Sequence, residues 1–217
     1  MIIIMFRNYV NLMQLFTVSY FPNIITTSLL LNSSNVVIEA CENFIKQSYR
    51  SRCHVLGPND ILTLQVPVKG GRKNKPIKDI LIDNSQRWPD IHWRSITSSY
   101  QKAPFFEYYE DFTRKIVFSG EEKLFNLSLN SMKSIMQVLQ TPFEFELTDK
   151  YERDLKENDD DFRSSLNKKN THPLPDIFTE KSYQQNFGKL FVPNLSTLDV
   201  IFCEGPQALE IIRGSTK

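Results

Sequence analysis

Basic side chains are concentrated in the segment 42–54, which reads ENFIKQSYRSRCH. Arg50 and Arg52 are two residues apart, so on an extended strand both side chains point to the same side. A guanidinium group presents a planar fork of donors that fits two oxygens of a phosphate or carboxylate. With Lys46 nearby, the segment predicts a site for an anion such as a diphosphate or a sugar acid. The same residues leave a second interpretation open, in which both arginines form salt bridges to the acidic helices that follow.

His92 is the candidate for proton transfer. It lies in a predicted helix beside Arg94 and shares a face with Trp88, Ile96 and Tyr100. An imidazole with an ordinary pKa of about 6.5 is suited to general base catalysis. A histidine on an otherwise apolar helix face is also typical of a hydrogen-bonded core residue, and the sequence leaves both interpretations open.

Four further polar residues have two interpretations each. Cys53 lies between Arg52 and His54, but on a strand His54 points away from it, which favours a buried thiol over an activated one. Lys69 opens the basic loop 69–75 (KGGRKNK), which either closes over an anion or is simply solvated. Asn194 and Ser196 precede the last predicted helix and either cap it or offer donors to a ligand.

Composition and absent motifs exclude several classes of protein. The chain of 217 residues has 26 basic and 25 acidic residues, so no nucleic acid or anionic membrane is expected as a partner. Segment 42–102 is nevertheless basic, with 11 Lys and Arg against 5 Asp and Glu, whereas 103–180 has 10 against 16. The glycines form no phosphate-binding motif, and the histidines and cysteines have no zinc spacing. The sequence therefore predicts no metal site and indicates no particular cofactor.

The N-terminal segment and the cysteines predict where in the cell the protein is located. The longest uninterrupted apolar run, Met1–Phe6, is too short for a membrane span or a signal peptide. Three cysteines are too few for a secreted disulfide framework. We therefore expect an N-terminal extension over residues 1–12, no membrane span and a cytoplasmic protein.

The hydrophobic pattern predicts an α/β fold with a mixed sheet flanked by helices, in a single domain over 13–217. Predicted strands are 15–19, 36–40, 52–56, 62–68, 77–83 and 143–147. Predicted helices are 24–31, one from Trp88 to Tyr100, one from Pro104, one over 121–140 with a capping box at Ser119 and Glu122, and a broken helical region over 195–212. The charged segment 149–182 lacks an apolar period and predicts a flexible connection with little core of its own.

Several long strings of the chain resemble one family. Five of them are similar to motifs of the WbqC-like protein family and occur in the order found in that family: YRSRC, LTLQVPVK, HWR, APFFEYY and PNLSTLD. The chain resembles the shorter form of this family. The resemblance implies a role in bacterial surface-polysaccharide (O-antigen) or modified-sugar synthesis and assigns no catalytic residue. The positions that match family motifs are Tyr20, Pro22, Lys46, Tyr49, Arg50, Arg52, Pro67, His92, Arg94, Pro193, Asn194 and Asp199.

Residues and resemblance together predict a cytoplasmic transferase acting on a phosphorylated or carrier-bound donor. His92 is its predicted catalytic residue. The predicted substrate-binding residues are Tyr20, Lys46, Tyr49, Arg50, Arg52, Lys69, Arg94 and Asn194. The alternative is a binding module without chemistry, which docks an acidic carrier or partner protein through the basic patch. The sequence predicts neither the reaction type nor the oligomeric state.

Overall fold

The computed structural model describes residues 13–70, 74–151, 153, 155, 160–163 and 178–215. The predicted extension over 1–12 lies outside the described residues, as do positions 71–73 of the basic loop and much of 149–182. The strands are Gln14–Thr17 (β1), Val36–Glu39 (β2), Arg52–Leu56 (β3), Ile61–Gln65 (β4), Glu146–Leu147 (β5) and Asp160–Asp161 (β6). The helices are Ile24–Leu31 (α1), Trp88–Tyr100 (α2), Phe106–Val117 (α3), Leu124–Val138 (α4), Thr197–Glu204 (α5) and Ala208–Arg213 (α6).

Four of the strands form a parallel sheet in the order β5-β2-β1-β6. β1 and β2 pair in parallel on either side of α1, as the predicted strand–helix–strand unit requires. Asn23 caps α1 by accepting a hydrogen bond from the backbone N–H of Thr26 at 3.0 Å. α1 is buried along almost its whole length, and the hydroxyl groups of Thr26, Thr27 and Ser28 all have hydrogen-bond partners, which allows the helix to lie in the core.

β3 and β4 form a separate antiparallel hairpin around the turn Gly57–Asp60. The α/β class is therefore confirmed, with parallel and antiparallel pairs divided between two sheets. The strand expected over 77–83 is wrong for its first half, because Ile77–Asp79 is a turn of 3-10 helix, whereas Leu81 and Ile82 form isolated antiparallel bridges. Ile77 and Ile80 are both buried, and a spacing of three brings them to one side of such a turn.

Helix α4 begins later than the sequence predicts. Lys123 is extended and pairs with Leu81 in an isolated antiparallel bridge, with Ile82 N–H bonded to the Glu122 carbonyl at 2.8 Å and Leu124 N–H to the Ile80 carbonyl at 3.0 Å. Lys123 is therefore the N-cap residue, and the predicted capping box at Ser119 and Glu122 does not form. Within the described ranges, no helix combines the length and the apolar composition that crossing a membrane requires.

The described part of segment 149–182 contributes to the core. Asp160 and Asp161 pair with β1 as an edge strand. Phe162 is buried against Phe16, with ring centroids 4.9 Å apart, and Phe178 is buried as well. The expectation that this segment has little core of its own is therefore wrong for these residues.

Candidate functional site

A small cavity beside the hairpin, which we call the basic cavity, brings Lys46 and Arg52 together. It has a volume of about 310 Å³, and its other lining residues are Phe44, Gln47, Ser51, Gln65, Val66, Pro67 and Val68. None of the lining residues is acidic. Arg52 Nε donates to Gln65 Oε1 at 2.9 Å, which holds the guanidinium group without neutralising its charge.

Tyr49, another predicted site residue, does not line this cavity but interacts electrostatically with Arg52, which does. Burial raises the pKa of Tyr49, while a side-chain hydrogen bond with Asn23 and the positive charge of Arg52 act in the opposite direction. Its ring also meets His54 edge-on, with centroids 5.3 Å apart. Tyr49 is therefore a neutral, anchored neighbour of Arg52 at physiological pH.

Arg50 has a different environment from Arg52. It lies before the start of β3 and its side chain is only 2% exposed. Its Nε and one terminal nitrogen donate to the two carboxylate oxygens of Glu42, both at 2.7 Å. The expectation that Arg50 and Arg52 face one site is therefore not met. The salt-bridge interpretation applies to Arg50, with a carboxylate eight residues earlier rather than one from a later helix.

Arg50 belongs to a group of charges at the carboxyl ends of the parallel strands, buried except for Asp161, which we call the sheet-edge network. Thr17, at the end of β1, donates to the same Glu42. Arg163 binds Glu39 at 3.3 Å and Asp161 at 2.7 Å. Burial acts to raise the pKa of Asp161, but hydrogen bonds from Arg163 lower it. Ligands often bind at this edge of α/β sheets, but here the two guanidinium groups are occupied by carboxylates.

A second and larger cavity lies between β4 and the first half of α2, and we call it the β4–α2 groove. Its volume is about 590 Å³. It shares Gln65 and Pro67 with the basic cavity, so the two cavities adjoin. The remaining lining residues are Leu62, Thr63, Leu64, Gln86, Arg87, Trp88, Ile91, His92 and Ser95.

His92 lies at the buried side of this groove and is itself only 2% exposed. Its Nδ1 is 3.0 Å from the hydroxyl oxygen of Tyr20, and its ring is 5.0 Å from Trp88. Burial lowers the pKa of His92 to about 4, although a hydrogen bond to the Gln65 backbone acts in the opposite direction. The ring is therefore neutral at pH 7, and hydrogen bonds to Tyr20 and to the Gln65 backbone fix its position.

The other predicted site residues lie elsewhere. Lys69 and Arg94 are exposed and line neither cavity. Asn194 donates its backbone N–H to Glu180 at 2.7 Å, and Ser196 rather than Asn194 caps α5. Cys53 is buried, as expected, and burial raises the pKa of its thiol.

Sequence reasoning did not find a buried acidic cluster around Asp199. Tyr100 and Tyr183 donate their hydroxyls to its two carboxylate oxygens at 2.8 and 2.6 Å, and Gln185 adds a bond at 3.1 Å. Burial raises the pKa of Asp199, and burial raises that of Glu180 to about 7. A motif match at Asp199 was the one available signal, since its partners come from two other parts of the chain, Tyr100 from one and Tyr183 and Gln185 from the other.

The fold and cavities thus define an α/β protein with a basic cavity next to a longer, partly apolar groove. The model of the WbqC-like protein family matches residues 18–172, well over half of the chain, so the protein belongs to this family. The matched region contains Lys46, Arg52 and His92 and ends before Asn194. No curated protein and no solved structure matches the chain.

Proposed function

We propose that this WbqC-like protein is a transferase of bacterial surface-polysaccharide or modified-sugar synthesis, acting in the cytoplasm, and that the basic cavity holds a phosphate group of its donor. The observation that carries the proposal is that Lys46 and Arg52 line one cavity that no acidic residue lines. A guanidinium and an ammonium group together offer both directed and non-directional binding to phosphate oxygens. The pathway and the transfer reaction are drawn from the family resemblance.

His92 is the residue that we propose for proton transfer. Burial keeps the ring neutral at pH 7, which is the form that accepts a proton, but a pKa of about 4 makes it a weak base, so the proposed role requires its pKa to rise when the donor and acceptor are bound. It lines the cavity that adjoins the proposed phosphate site. Nδ1 is hydrogen-bonded to the Tyr20 hydroxyl. This hydrogen bond therefore has to break before Nδ1 can take a proton from the substrate that receives the transferred group.

The phosphate site is tested by measuring pyrophosphate binding by calorimetry. We expect Lys46→Gln and Arg52→Gln each to weaken binding about tenfold, since each removes one charge-assisted interaction. Arg94→Gln is the matched control, because it removes a cation that lies outside both cavities. Equal binding by all three variants and the wild type would contradict the proposed site.

The proposed chemistry is tested separately with His92→Gln. We expect this variant to bind pyrophosphate like the wild type and to lose product formation from a panel of nucleotide sugars and acyl-CoAs, followed by mass spectrometry. A wild-type protein that binds pyrophosphate but yields no product with any donor, and that instead binds acidic carrier proteins, would favour the binding module.

A further inference from the structure

The outer edge of β4 carries backbone groups that point away from the hairpin. Val66 N–H bonds to the Ser51 carbonyl at 2.8 Å, and Gly57 N–H bonds to that of Asp60 at 3.0 Å. These two bonds fix the alternation of the antiparallel ladder, in which every second residue turns both backbone groups outward. On β4 the outward residues are therefore Ile61, Thr63 and Gln65.

The two outer edges of the hairpin differ. On β3 the His54 carbonyl accepts from Ser196 at 2.8 Å, and Leu56 N–H donates to the Tyr100 hydroxyl at 3.1 Å. On β4 two outward groups are also used, Ile61 N–H by Asp60 and the Gln65 backbone by the His92 ring. Among the residues that the structure describes, the N–H and carbonyl of Thr63 and the N–H of Gln65 have no partner.

These open groups border the β4–α2 groove. Thr63 and Gln65 are two residues apart, so their open groups span only about 7 Å of strand. Trp88 and Ile91 provide apolar surface on the helix side, and Ile91 is 59% exposed. The groove leads through Gln65 and Pro67 to Lys46 and Arg52.

Charge further restricts the ligand. The residues that line the two cavities include three cations, Lys46, Arg52 and Arg87, and no carboxylate. Arg87 is paired with Asp90 at 3.3 Å, which leaves most of the unneutralised positive charge at the Lys46 and Arg52 end. A fitting ligand is therefore extended, carries a few amides, and is anionic at one end.

We propose that the groove and the basic cavity together bind a phosphopantetheine arm, the group through which coenzyme A and acyl carrier proteins hold an acyl chain. This rests on the proposed function, since it names the carrier of the donor. The phosphate lies at Lys46 and Arg52, and the two amides pair with the open groups of Thr63 and Gln65 as an added half-strand. The short open edge suits two amides better than a peptide, which needs a longer row of backbone partners.

The test measures binding of 4′-phosphopantetheine, pantetheine and pyrophosphate to the wild type and to two variants at one position. Thr63→Pro removes the outward N–H without breaking a bond to β3, so the hairpin tolerates it at this edge. We expect it to weaken 4′-phosphopantetheine binding about tenfold, the value of one hydrogen bond in a desolvated groove, and to leave pyrophosphate binding unchanged. Thr63→Val keeps the N–H and should bind both probes like the wild type.

The outcomes separate the two proposals. If 4′-phosphopantetheine binds no tighter than pyrophosphate, or if Thr63→Pro leaves it unaffected, the arm is excluded while the phosphate site stands. If pyrophosphate itself does not bind, the proposed function falls as well. Tighter binding of an acidic peptide that depends on the Thr63 N–H would assign the groove to a protein partner instead and overturn the proposal.

A second variant covers the case in which Thr63→Pro fails to fold. Ile91 is exposed at the groove, so Ile91→Glu places a negative charge there without disturbing the core. We expect it to weaken 4′-phosphopantetheine binding severalfold, and Ile91→Gln to weaken it less. Unchanged binding in Ile91→Glu would overturn the proposal independently of Thr63.

Discussion

Arg50 and Arg52 are two residues apart, but they belong to two regions that differ in burial and in whether a carboxylate neutralises the cation. Arg50 is buried in the sheet-edge network with both carboxylate oxygens of Glu42 bonded to it. Arg52 lies at the basic cavity, partly exposed, with an uncharged glutamine as its partner. A buried guanidinium such as that of Arg50 needs a counter-charge, which occupies its donors. Arg52 is partly exposed and needs none, so its donors remain available to a ligand.

The physical reason is the cost of removing a charge from water. A fully buried charge has to be paired and hydrogen-bonded, or it destabilises the fold by several kcal/mol. The sheet-edge network meets this condition, since Arg50 and Arg163 are both held by carboxylates. Lys46 is exposed and Arg52 is partly exposed, so both cations are accessible to solvent and remain suited to an incoming anion.

The largest expected effect is the loss of the buried pair. We expect Arg50→Met to lower the free energy of unfolding by about 3 to 5 kcal/mol, because it leaves Glu42 buried without its counter-charge. Arg52→Met should lower it by less than about 1 kcal/mol, as is usual for an exposed polar group. Urea denaturation measures both values. A similar loss in the two variants would remove the distinction between the regions.

Local signals made much of the fold predictable. Helix α1, helix α2 and strand β3 have the predicted bounds, because caps, breakers and hydrophobic periods lie within a few residues of each element. The strand expected over 77–83 failed at Ile77–Asp79 because this turn packs against α4, a contact that the local pattern does not contain. β6 is only two residues long, and its pairing with β1 is purely tertiary.

The candidate site was predictable to the extent that its residues are close in sequence. Lys46 and Arg52 lie six positions apart and do share a cavity. The separation of Arg50 from Arg52 depends on Glu42, which turns back toward Arg50 from an irregular segment, and no periodicity marks such a contact. The groove beside His92 depends on how α2 lies against β4, which the sequence does not indicate.

His92 allows a second test of how burial affects a titratable group, because it lines the groove that adjoins the basic cavity but is buried like Arg50. Its pKa is about 4 in the folded protein, below the ordinary value near 6.5. As pH falls, the unfolded chain therefore takes up the proton first, and folding stability is lost between about pH 6.5 and 4. The shift corresponds to about 3 kcal/mol.

The measurement is urea denaturation of the wild type and His92→Gln at pH 7, 5.5 and 4. Acid also weakens pairs such as Arg163 with Asp161, whose carboxylate pKa is lowered, so the informative quantity is the difference between the two proteins. We expect the wild type to lose about 3 kcal/mol more than the variant across this range. Parallel losses would mean that His92 is solvated and charged in the folded state.

Glu180 differs from the cations of the basic cavity because its carboxyl group is largely buried. Within the described part of the chain, no lysine or arginine pairs with it. Burial, with a further contribution from the charge of Asp199, raises its pKa to about 7. The folded protein therefore holds this proton more tightly than the unfolded chain, and stability falls as pH rises from about 4.5 to 7, the opposite sign to His92.

We expect Glu180→Gln, which is permanently neutral, to be more stable than the wild type at pH 8 by roughly 1 to 2 kcal/mol, a range that allows for partial exposure. The advantage should shrink toward pH 5, and an equal difference in the free energy of unfolding at both pH values would mean that Glu180 is ionised throughout.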